Sequence, residues 1–400
     1  NYRMTWHLSG MIVQFIFTNA LKRQRAKAML VRQSFNSSNI NPDYYIFGYA
    51  DNSIIELTKW LNDNTNTKPK FDLLTKKSID SFADYPVNEF GSFKVRFVDN
   101  DIIDEDEALP IEIARGCVFK CKFCAFPLIG KKRWDYTKSK ESLIEEFTYN
   151  YENFGTTKYM VMDETTNDSI EKTQFLLNVT SQLDFKIHWV GYGRIELYHT
   201  YPEMAHMMKE TGLTGQFFGI ETFNKLSGES IGKGMHPDKV KQTLSYLKEV
   251  WKEETTMTAG IILGLPHDTI TYFNELEKYL LSDECDLDGF QIYPLILNKG
   301  SRSMFGKDPE KYGYHFGDSF HNWQNKHMNF TEANDHATRL IASTAHKNTL
   351  QTFTKMRLHN LGYDAFKTKF SMVDYINMMD DVTMRLQLKK QNYLNRLMAI

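Results

Sequence analysis

The chain has 400 residues, 42% of them hydrophobic and 24% charged, which is typical of a folded globular protein with two or three structural units. A formal net charge of -2 gives no global indication of nucleic-acid binding. Because no apolar run reaches the length of a transmembrane helix, the sequence predicts no membrane partner.

The N-terminal part alternates helical and strand patterns. Apolar runs at residues 11–17 and 43–50 are typical of buried strands, and residues 21–31 and 53–61 have apolar side chains at helical spacing. This alternation predicts a Rossmann-like open α/β domain with a parallel sheet. Residues 2–8 have a helical pattern, so the alternation begins with a helix, and we expect that the first strand, and with it the true N-terminus, is missing.

The rest of the chain is predicted to form a partial (β/α)6 TIM-like barrel and then a helical C-terminal region. We assign the Rossmann-like domain and an acidic linker to residues 1–106, the barrel to 107–300 and the helical region to 301–400. Strands are predicted at residues 111–114, 159–162, 187–191, 216–220, 257–263 and 289–293. In such barrels the functional residues lie at the carboxyl ends of the strands.

Three of the four cysteines are crowded into one short segment directly after the first barrel strand. Cys117, Cys121 and Cys124 have the spacing C-x3-C-x2-C, which is wrong for a disulfide framework and suits iron–sulfur or zinc binding. Structural zinc normally takes four ligands, and Cys285 stands alone, whereas three thiolates on a four-iron cluster leave one iron open. Free thiols favour a reducing, cytoplasmic location.

This segment resembles the signature of the radical SAM superfamily, including the aromatic Phe123 just before the last cysteine. The resemblance implies a [4Fe-4S] cluster held by Cys117, Cys121 and Cys124, with S-adenosylmethionine (SAM) chelated to the fourth iron. It further implies reductive cleavage of SAM to methionine and a 5'-deoxyadenosyl radical, with Phe123 packed near the adenine. A flavodoxin or ferredoxin is the electron donor that the family implies.

Two further strand ends carry charged residues that the resemblance assigns to SAM. Asp163 and Glu164 occupy the place of the family's Gly-Gly-Glu motif, which receives the SAM amino group, but the sequence Met-Asp-Glu leaves open which acid serves. Arg194 is placed to pair with the SAM carboxylate, because a guanidinium binds carboxylates in bidentate fashion. Solvated loop acids and an ordinary salt bridge are the respective alternatives.

The fourth and fifth strands complete the expected SAM site. Glu221 lies in a Gly-Ile-Glu-Thr stretch and is expected near the ribose hydroxyls or the methionyl amine. Ile262 and Gly264 lie in a Gly-x-Ile-x-Gly pattern whose backbone contacts adenine in the family. Glycine permits that approach because it lacks Cβ.

An open α/β domain before the barrel resembles the arrangement of cobalamin-binding radical SAM enzymes, many of which transfer methyl groups. Cobalamin is therefore a possible cofactor, with a purely supporting domain as the alternative. The Asp-x-His-x-x-Gly motif that ligates cobalt is absent, but it would follow the strand that is expected to be missing.

The sequence does not identify the substrate, and three alternatives to a radical SAM enzyme of this type stay open. A tRNA methylthiotransferase would need a second cluster and a C-terminal RNA-binding barrel, which four cysteines and a helical tail disfavour. A regulatory protein that uses the cluster as an iron or redox sensor and a zinc-stabilised module are the other two.

Overall fold

The computed structural model describes residues 45–47, 71–72, 78–80, 87–98, 101–124, 137–298, 303–317, 322–364 and 371–398. The chain divides into two compact units, Asn1–Glu89 and Phe90–Ile400. The domain boundaries that we place at residues 106 and 300 stay predictions.

The first unit contains a small mixed sheet. Its strands are Tyr45–Phe47 (β1), Phe71–Asp72 (β2) and Ser78–Asp80 (β3), in the order β1-β3-β2. β1 pairs with β3 in parallel, and β2 pairs with β3 antiparallel. β1 lies inside the apolar run predicted as a strand, whereas the strand predicted at residues 11–17 falls outside the described residues.

The second unit is built on one six-stranded parallel sheet whose strands follow each other in chain order. The strands are Leu109–Ile111 (β4), Lys158–Val161 (β5), His188–Gly193 (β6), Leu213–Glu221 (β7), Thr256–Leu263 (β8) and Gly289–Pro294 (β9). Consecutive parallel strands joined by helices confirm the predicted partial barrel. The first strand ends earlier than predicted, because the amides of Ile113 and Ala114 bind the carboxylate of Asp163 and not a neighbouring strand.

Eight helices precede or connect these strands in the described residues. They are Val87–Ser92 (α1), Lys140–Phe154 (α2), Ile170–Thr180 (α3), Ile195–Thr200 (α4), Met204–Glu210 (α5), Lys225–Ile231 (α6), Pro237–Trp251 (α7) and Ile270–Leu281 (α8). Their ends follow from local chemistry. The hydroxyl of Ser139 accepts the amide of Ser142 at the start of α2, and Gly155 ends that helix in the left-handed conformation.

The C-terminal region is helical as predicted, with one short hairpin that the sequence did not indicate. Its helices are Met304–Lys307 (α9), Phe330–Thr344 (α10), Thr352–His359 (α11), Met372–Asn377 (α12) and Met379–Met398 (α13). A 3-10 turn at Glu310–Tyr312 and the antiparallel strands His315–Phe316 (β10) and Trp323–Gln324 (β11) lie between α9 and α10.

The sheet has two faces with different covers. The connecting helices pack on one face, where Trp189, Phe218 and Met257 are almost completely buried in the main core. On the opposite face α11 packs Phe353 and Met356 against the sheet. Alternation of side chains along each strand therefore divides the residues between a filled core and a second, partly open face.

No helix in the described part of the chain is both long and apolar enough to span a bilayer.

A buried ion pair fixes α2 to the segment after β4. The ammonium of Lys138 lies 2.5 Å from the carboxylate of Glu146, and the two side chains are 0% and 1% exposed. Burial raises the pKa of Glu146, and Lys138 opposes that rise. The amide of Lys138 also donates to the carbonyl of Ile113 at 2.9 Å.

Replacing one partner of this pair is expected to destabilise the protein strongly. Lys138→Met leaves a buried carboxylate without its cation, which costs about 3–5 kcal/mol in the free energy of unfolding. Urea unfolding measures the change. Lys209→Met, at the exposed pair with Glu254, is the control and should cost less than about 1 kcal/mol. Equal losses for the two variants would contradict the assignment.

Candidate functional site

The carboxyl ends of the six parallel strands meet at one edge of the sheet. The three-cysteine loop follows β4 there. Asp163 and Glu164 follow β5, Arg194 follows β6, Glu221 ends β7 and Gly264 follows β8.

The cysteine loop is held by backbone contacts to two helices. The amide of Lys122 donates to the carbonyl of Ile231 at the end of α6, at 2.9 Å. The carbonyl of Lys122 accepts the amide of Phe305 in α9, at 3.1 Å. The backbone N–H and carbonyl of Lys122 are thus both fixed from outside the loop, which limits how far Cys121 and Cys124 can move.

The three cysteines are partly buried and not disulfide-bonded, and polar neighbours contact Cys117 and Cys121. The Sγ of Cys117 lies 3.5 Å from the Oγ1 of Thr165, and the Sγ of Cys121 accepts a hydrogen bond from Arg194 at 3.2 Å. Three soft sulfur ligands from one loop, beside a cation, suit an iron–sulfur cluster. Among the described residues no three His, Cys, Asp or Glu side chains are spaced to hold a single metal ion.

Asp163 is occupied by internal partners. Its carboxylate accepts the amides of Ile113 and Ala114 at 2.8 and 3.0 Å, and the ammonium of Lys172 at 2.7 Å. The side chains of Asp163 and Lys172 are 1% and 4% exposed. Burial by itself lowers the pKa of Lys172, but Asp163 and Asp168 hold it above its ordinary value. The buried pair therefore ties the start of the cysteine loop to β5 and α3.

Glu164 points at the cysteine loop. Its carboxylate accepts the amide of Gly116, next to Cys117, at 2.8 Å. Burial raises the pKa of Glu164 from 4.5 to about 7, and the neighbouring Asp163 adds to that rise. A carboxyl group in this state exchanges its proton readily near neutral pH and would gain from a cationic partner.

Arg194 is fixed at its backbone and aimed at the cysteines by its side chain. The side-chain amide of the fully buried Asn167 accepts a hydrogen bond from the backbone N–H of Arg194 at 2.8 Å. It also donates one to the backbone carbonyl of Arg194 at 2.9 Å. The guanidinium pairs with Glu196 at 2.7 Å and stacks 4.0 Å from the ring centre of Phe119. The predicted cation is thus within hydrogen-bonding distance of Cys121.

A chain of buried charges continues from Arg194 towards Glu221. The ammonium of Lys233 lies 3.7 Å from Glu196 and donates to the carbonyl of Gly219. Burial favours a raised pKa for Glu196, but Lys233 and Arg194 hold it below its ordinary value. Burial raises the pKa of Glu221, with Lys233 opposing the rise.

The backbone of Glu221 is strained. Its φ of +69° lies in the left-handed region, which favours glycine, and the pairing of β7 with β8 is irregular between Gly219 and Glu221. Such strain concentrates where a side chain must be held in one direction.

Phe123, Ile262 and Gly264 are the residues that the sequence predicts to contact the adenine. Phe123 and Ile262 are partly buried and pack against the second core cluster, which includes Leu263 and Phe305. Gly264 has φ +91°, and a Cβ there would overlap the ring of Trp323.

The carbonyl and amide of Gly264 are both bound. The carbonyl accepts Tyr314 at 2.8 Å and Asn325 at 3.2 Å, and the amide donates to Asp268 at 3.1 Å. Burial raises the pKa of Asp268 to about 7. Only glycine fits this turn, and three side chains hold it in place.

Sequence reasoning missed five residues of this site. Lys172, Asn167, Glu196, Lys233 and Asp268 do not belong to the motif that indicated the site. Glu196 was detectable in part, because an Arg-x-Glu triplet follows the strand end. Nothing local distinguishes Lys233 from a surface lysine, since its partners are distant in the chain.

Part of this chain resembles a known protein family. Residues 111–280 match the family model described as the radical SAM superfamily. These residues form a radical SAM domain. Proteins of this superfamily bind a [4Fe-4S] cluster and SAM, and the cysteines described above are the residues that fit the cluster.

Two curated relatives match part of this chain. An uncharacterized methyltransferase of Pyrococcus horikoshii is 29% identical over 179 residues, covering 45% of this chain and 38% of the relative. The ribosomal protein uS12 methylthiotransferase RimO of a Sulfurihydrogenibium species is 28% identical over 194 residues, covering 46% and 43%. The matched region thus spans less than half the length of either relative.

Solved structures give weaker similarities. The radical SAM methyltransferase TsrM of Kitasatospora setae, with tryptophan substrate and a SAM analogue bound, has a TM-score of 0.42 at 15% identity and covers 54% of this chain and 42% of that chain. Coproporphyrinogen III oxidase (HemN) of Escherichia coli has a TM-score of 0.45 at 13% identity, covering 71% and 63%.

The raised pKa of Glu164 predicts a pH dependence of stability. In the folded state the carboxyl group of Glu164 keeps its proton up to about pH 7, whereas in the unfolded chain it loses the proton near pH 4.5. Its contribution to the free energy of unfolding is therefore lost as the pH rises from 4.5 to about 7. Between pH 4.5 and 8 the free energy of unfolding of the iron-free protein should fall by about 2–3 kcal/mol more than that of Glu164→Gln. Urea unfolding at each pH tests this, and equal pH dependence in both proteins would refute it.

Proposed function

We propose that the protein reductively cleaves SAM at a [4Fe-4S] cluster held by Cys117, Cys121 and Cys124, and uses the product radical on a substrate bound in the barrel. One observation carries the proposal. The three cysteine thiols lie at the same edge of the sheet as Glu164 and Arg194, which contact the cysteine loop directly. One electron delivered at the cluster breaks a carbon–sulfur bond of SAM, and this is the chemistry that the group supplies when bound.

We assign the SAM amino group to Glu164 and not to its neighbour. Asp163 already accepts two backbone amides and an ammonium, so it has little capacity left for a ligand. Glu164 accepts the amide of Gly116 and has a raised pKa, and a bound ammonium would favour its ionised form. In this assignment Asp163 positions the loop and Glu164 binds SAM.

The SAM carboxylate is assigned to Arg194. Its guanidinium is held by Glu196 and by the ring of Phe119, so it is already oriented before a ligand arrives. Glu221 is assigned to the ribose hydroxyls or the amine, and its strained backbone directs the side chain. Phe123, Ile262 and the fixed turn at Gly264 are assigned to the adenine.

The proposal is tested by product analysis. Anaerobically reconstituted protein, with dithionite and SAM, should release 5'-deoxyadenosine and methionine, detected by liquid chromatography and mass spectrometry. Release of neither 5'-deoxyadenosine nor S-adenosylhomocysteine from protein with an intact cluster would refute the proposal.

Cysteine variants provide matched controls. Cys117→Ala, Cys121→Ala and Cys124→Ala should each lose the bound iron and sulfide and lower product release at least a hundredfold. Cys285→Ala should keep the bound cluster and the product release, because Cys285 lies against Tyr279 and away from the cysteine loop. Iron and sulfide analysis with electron paramagnetic resonance reads out the cluster independently of turnover. An intact cluster with full activity in any of the three variants would contradict the ligand assignment.

Methyl transfer through cobalamin is the second candidate. The observation in its favour is the partial identity to an uncharacterized methyltransferase. It predicts corrin absorption bands in anaerobically purified protein, and S-adenosylhomocysteine among the products. A protein that senses iron or redox state with its cluster would instead bind the cluster and SAM without release of either product.

A further inference from the structure

One face of the sheet stays partly open beside the candidate SAM site. On this face, opposite the connecting helices, α11 packs against residues such as Val190. Nearer the carboxyl ends of the strands, Met162, Tyr192 and Tyr293 remain 49%, 37% and 49% exposed. An apolar surface therefore leads from α11 to the edge that carries the cysteine loop.

Aromatic rings line this surface across several strands. Tyr192 and Phe217 are paired in register, with ring centres 5.5 Å apart at 79°. Gly260 lies beside them on β8, where a Cβ would come within 3.1 Å of the Phe217 ring. Tyr293 on β9 is paired in register with Ile262 on β8. The absence of a side chain at Gly260 lets the ring of Phe217 lie close over β8.

The two tyrosines interact electrostatically, although they belong to strands that are not neighbours. Burial raises the pKa of Tyr293, and Tyr192 adds to that rise. Burial also raises the pKa of Tyr192, with Arg357 opposing it. Both phenols are therefore uncharged at neutral pH, and their ring faces can pack against another ring.

A buried hydroxyl on the same face lacks a partner. Thr258 is paired in register with Phe217 and is 1% exposed. Its Oγ1 has no hydrogen-bond partner among the described residues. A buried polar group without a partner is costly, and a polar substituent on a bound ring would supply one.

We propose that this surface binds a substrate carrying a planar aromatic ring, held against Tyr192, Phe217 and Tyr293 next to the SAM site. The assignment of that ligand as the substrate rests on the function proposed above. Binding of an aromatic ring does not depend on it, because the surface is formed without cluster or SAM.

Two probes that share ring size and a carboxamide group but differ in ring planarity test the proposal on the protein without its cluster. Benzamide carries a planar ring and a small polar group, and cyclohexanecarboxamide has the same group on a saturated ring. Benzamide should bind at least threefold more tightly, measured by saturation-transfer NMR titration. Tyr192→Leu and Tyr293→Leu should each weaken benzamide binding about threefold to tenfold, while Tyr192→Phe and Tyr293→Phe retain it.

Tyr201→Leu is the matched control, because Tyr201 is also 37% exposed but follows α4 and lies outside this face. It should leave benzamide binding unchanged. Equal affinity for the two probes, no benzamide binding, or equal effects of Tyr192→Leu and Tyr201→Leu would each overturn the proposal. Benzamide binding as expected, in a protein that releases no product from SAM, would keep the aromatic site and refute only the proposed function.

Discussion

The arrangement of the site depends on the buried contact of Asp163 with Lys172 and two backbone amides. β4 stops pairing with β5 at Ile111, and the next amides turn to this carboxylate. The turn directs the chain into the cysteine loop and leaves Glu164 facing Gly116. A buried charge that is satisfied by a cation and by amides holds one geometry, because each alternative leaves it unpaired.

From that point polar contacts extend around the edge of the sheet. Arg194, Glu196 and Lys233 alternate in charge, and Lys233 reaches the carbonyl of Gly219 in front of Glu221. The cysteine loop and the ends of β6 and β7 are thereby connected through partly buried ionised groups. A preorganised set of this kind needs little rearrangement when a zwitterionic ligand enters.

The sequence predicted the parallel sheet and a cysteine loop after its first strand, because both leave local signals. Apolar runs marked each strand, and three cysteines in eight residues marked the loop. The different contacts of Asp163 and Glu164 were not predictable, since adjacent acids look alike until their partners are known. Lys233 and Asp268 were missed because tertiary contacts, and no local pattern, give them their roles. The first strand was placed too late because Ile113 and Ala114 are apolar, yet their amides bind a side chain.

The contact between Asn360 and β4 has a consequence for how the molecule is made. The side chain of Asn360 accepts the amide of Ala108 at 2.8 Å and donates to its carbonyl at 3.1 Å, across a separation of 252 residues. The β4 edge of the sheet is therefore contacted by the residue that ends α11. During synthesis the first strand of this sheet must wait for that contact until Asn360, 252 residues later, has left the ribosome. Contacts of such long range slow folding and favour association with other chains in the meantime.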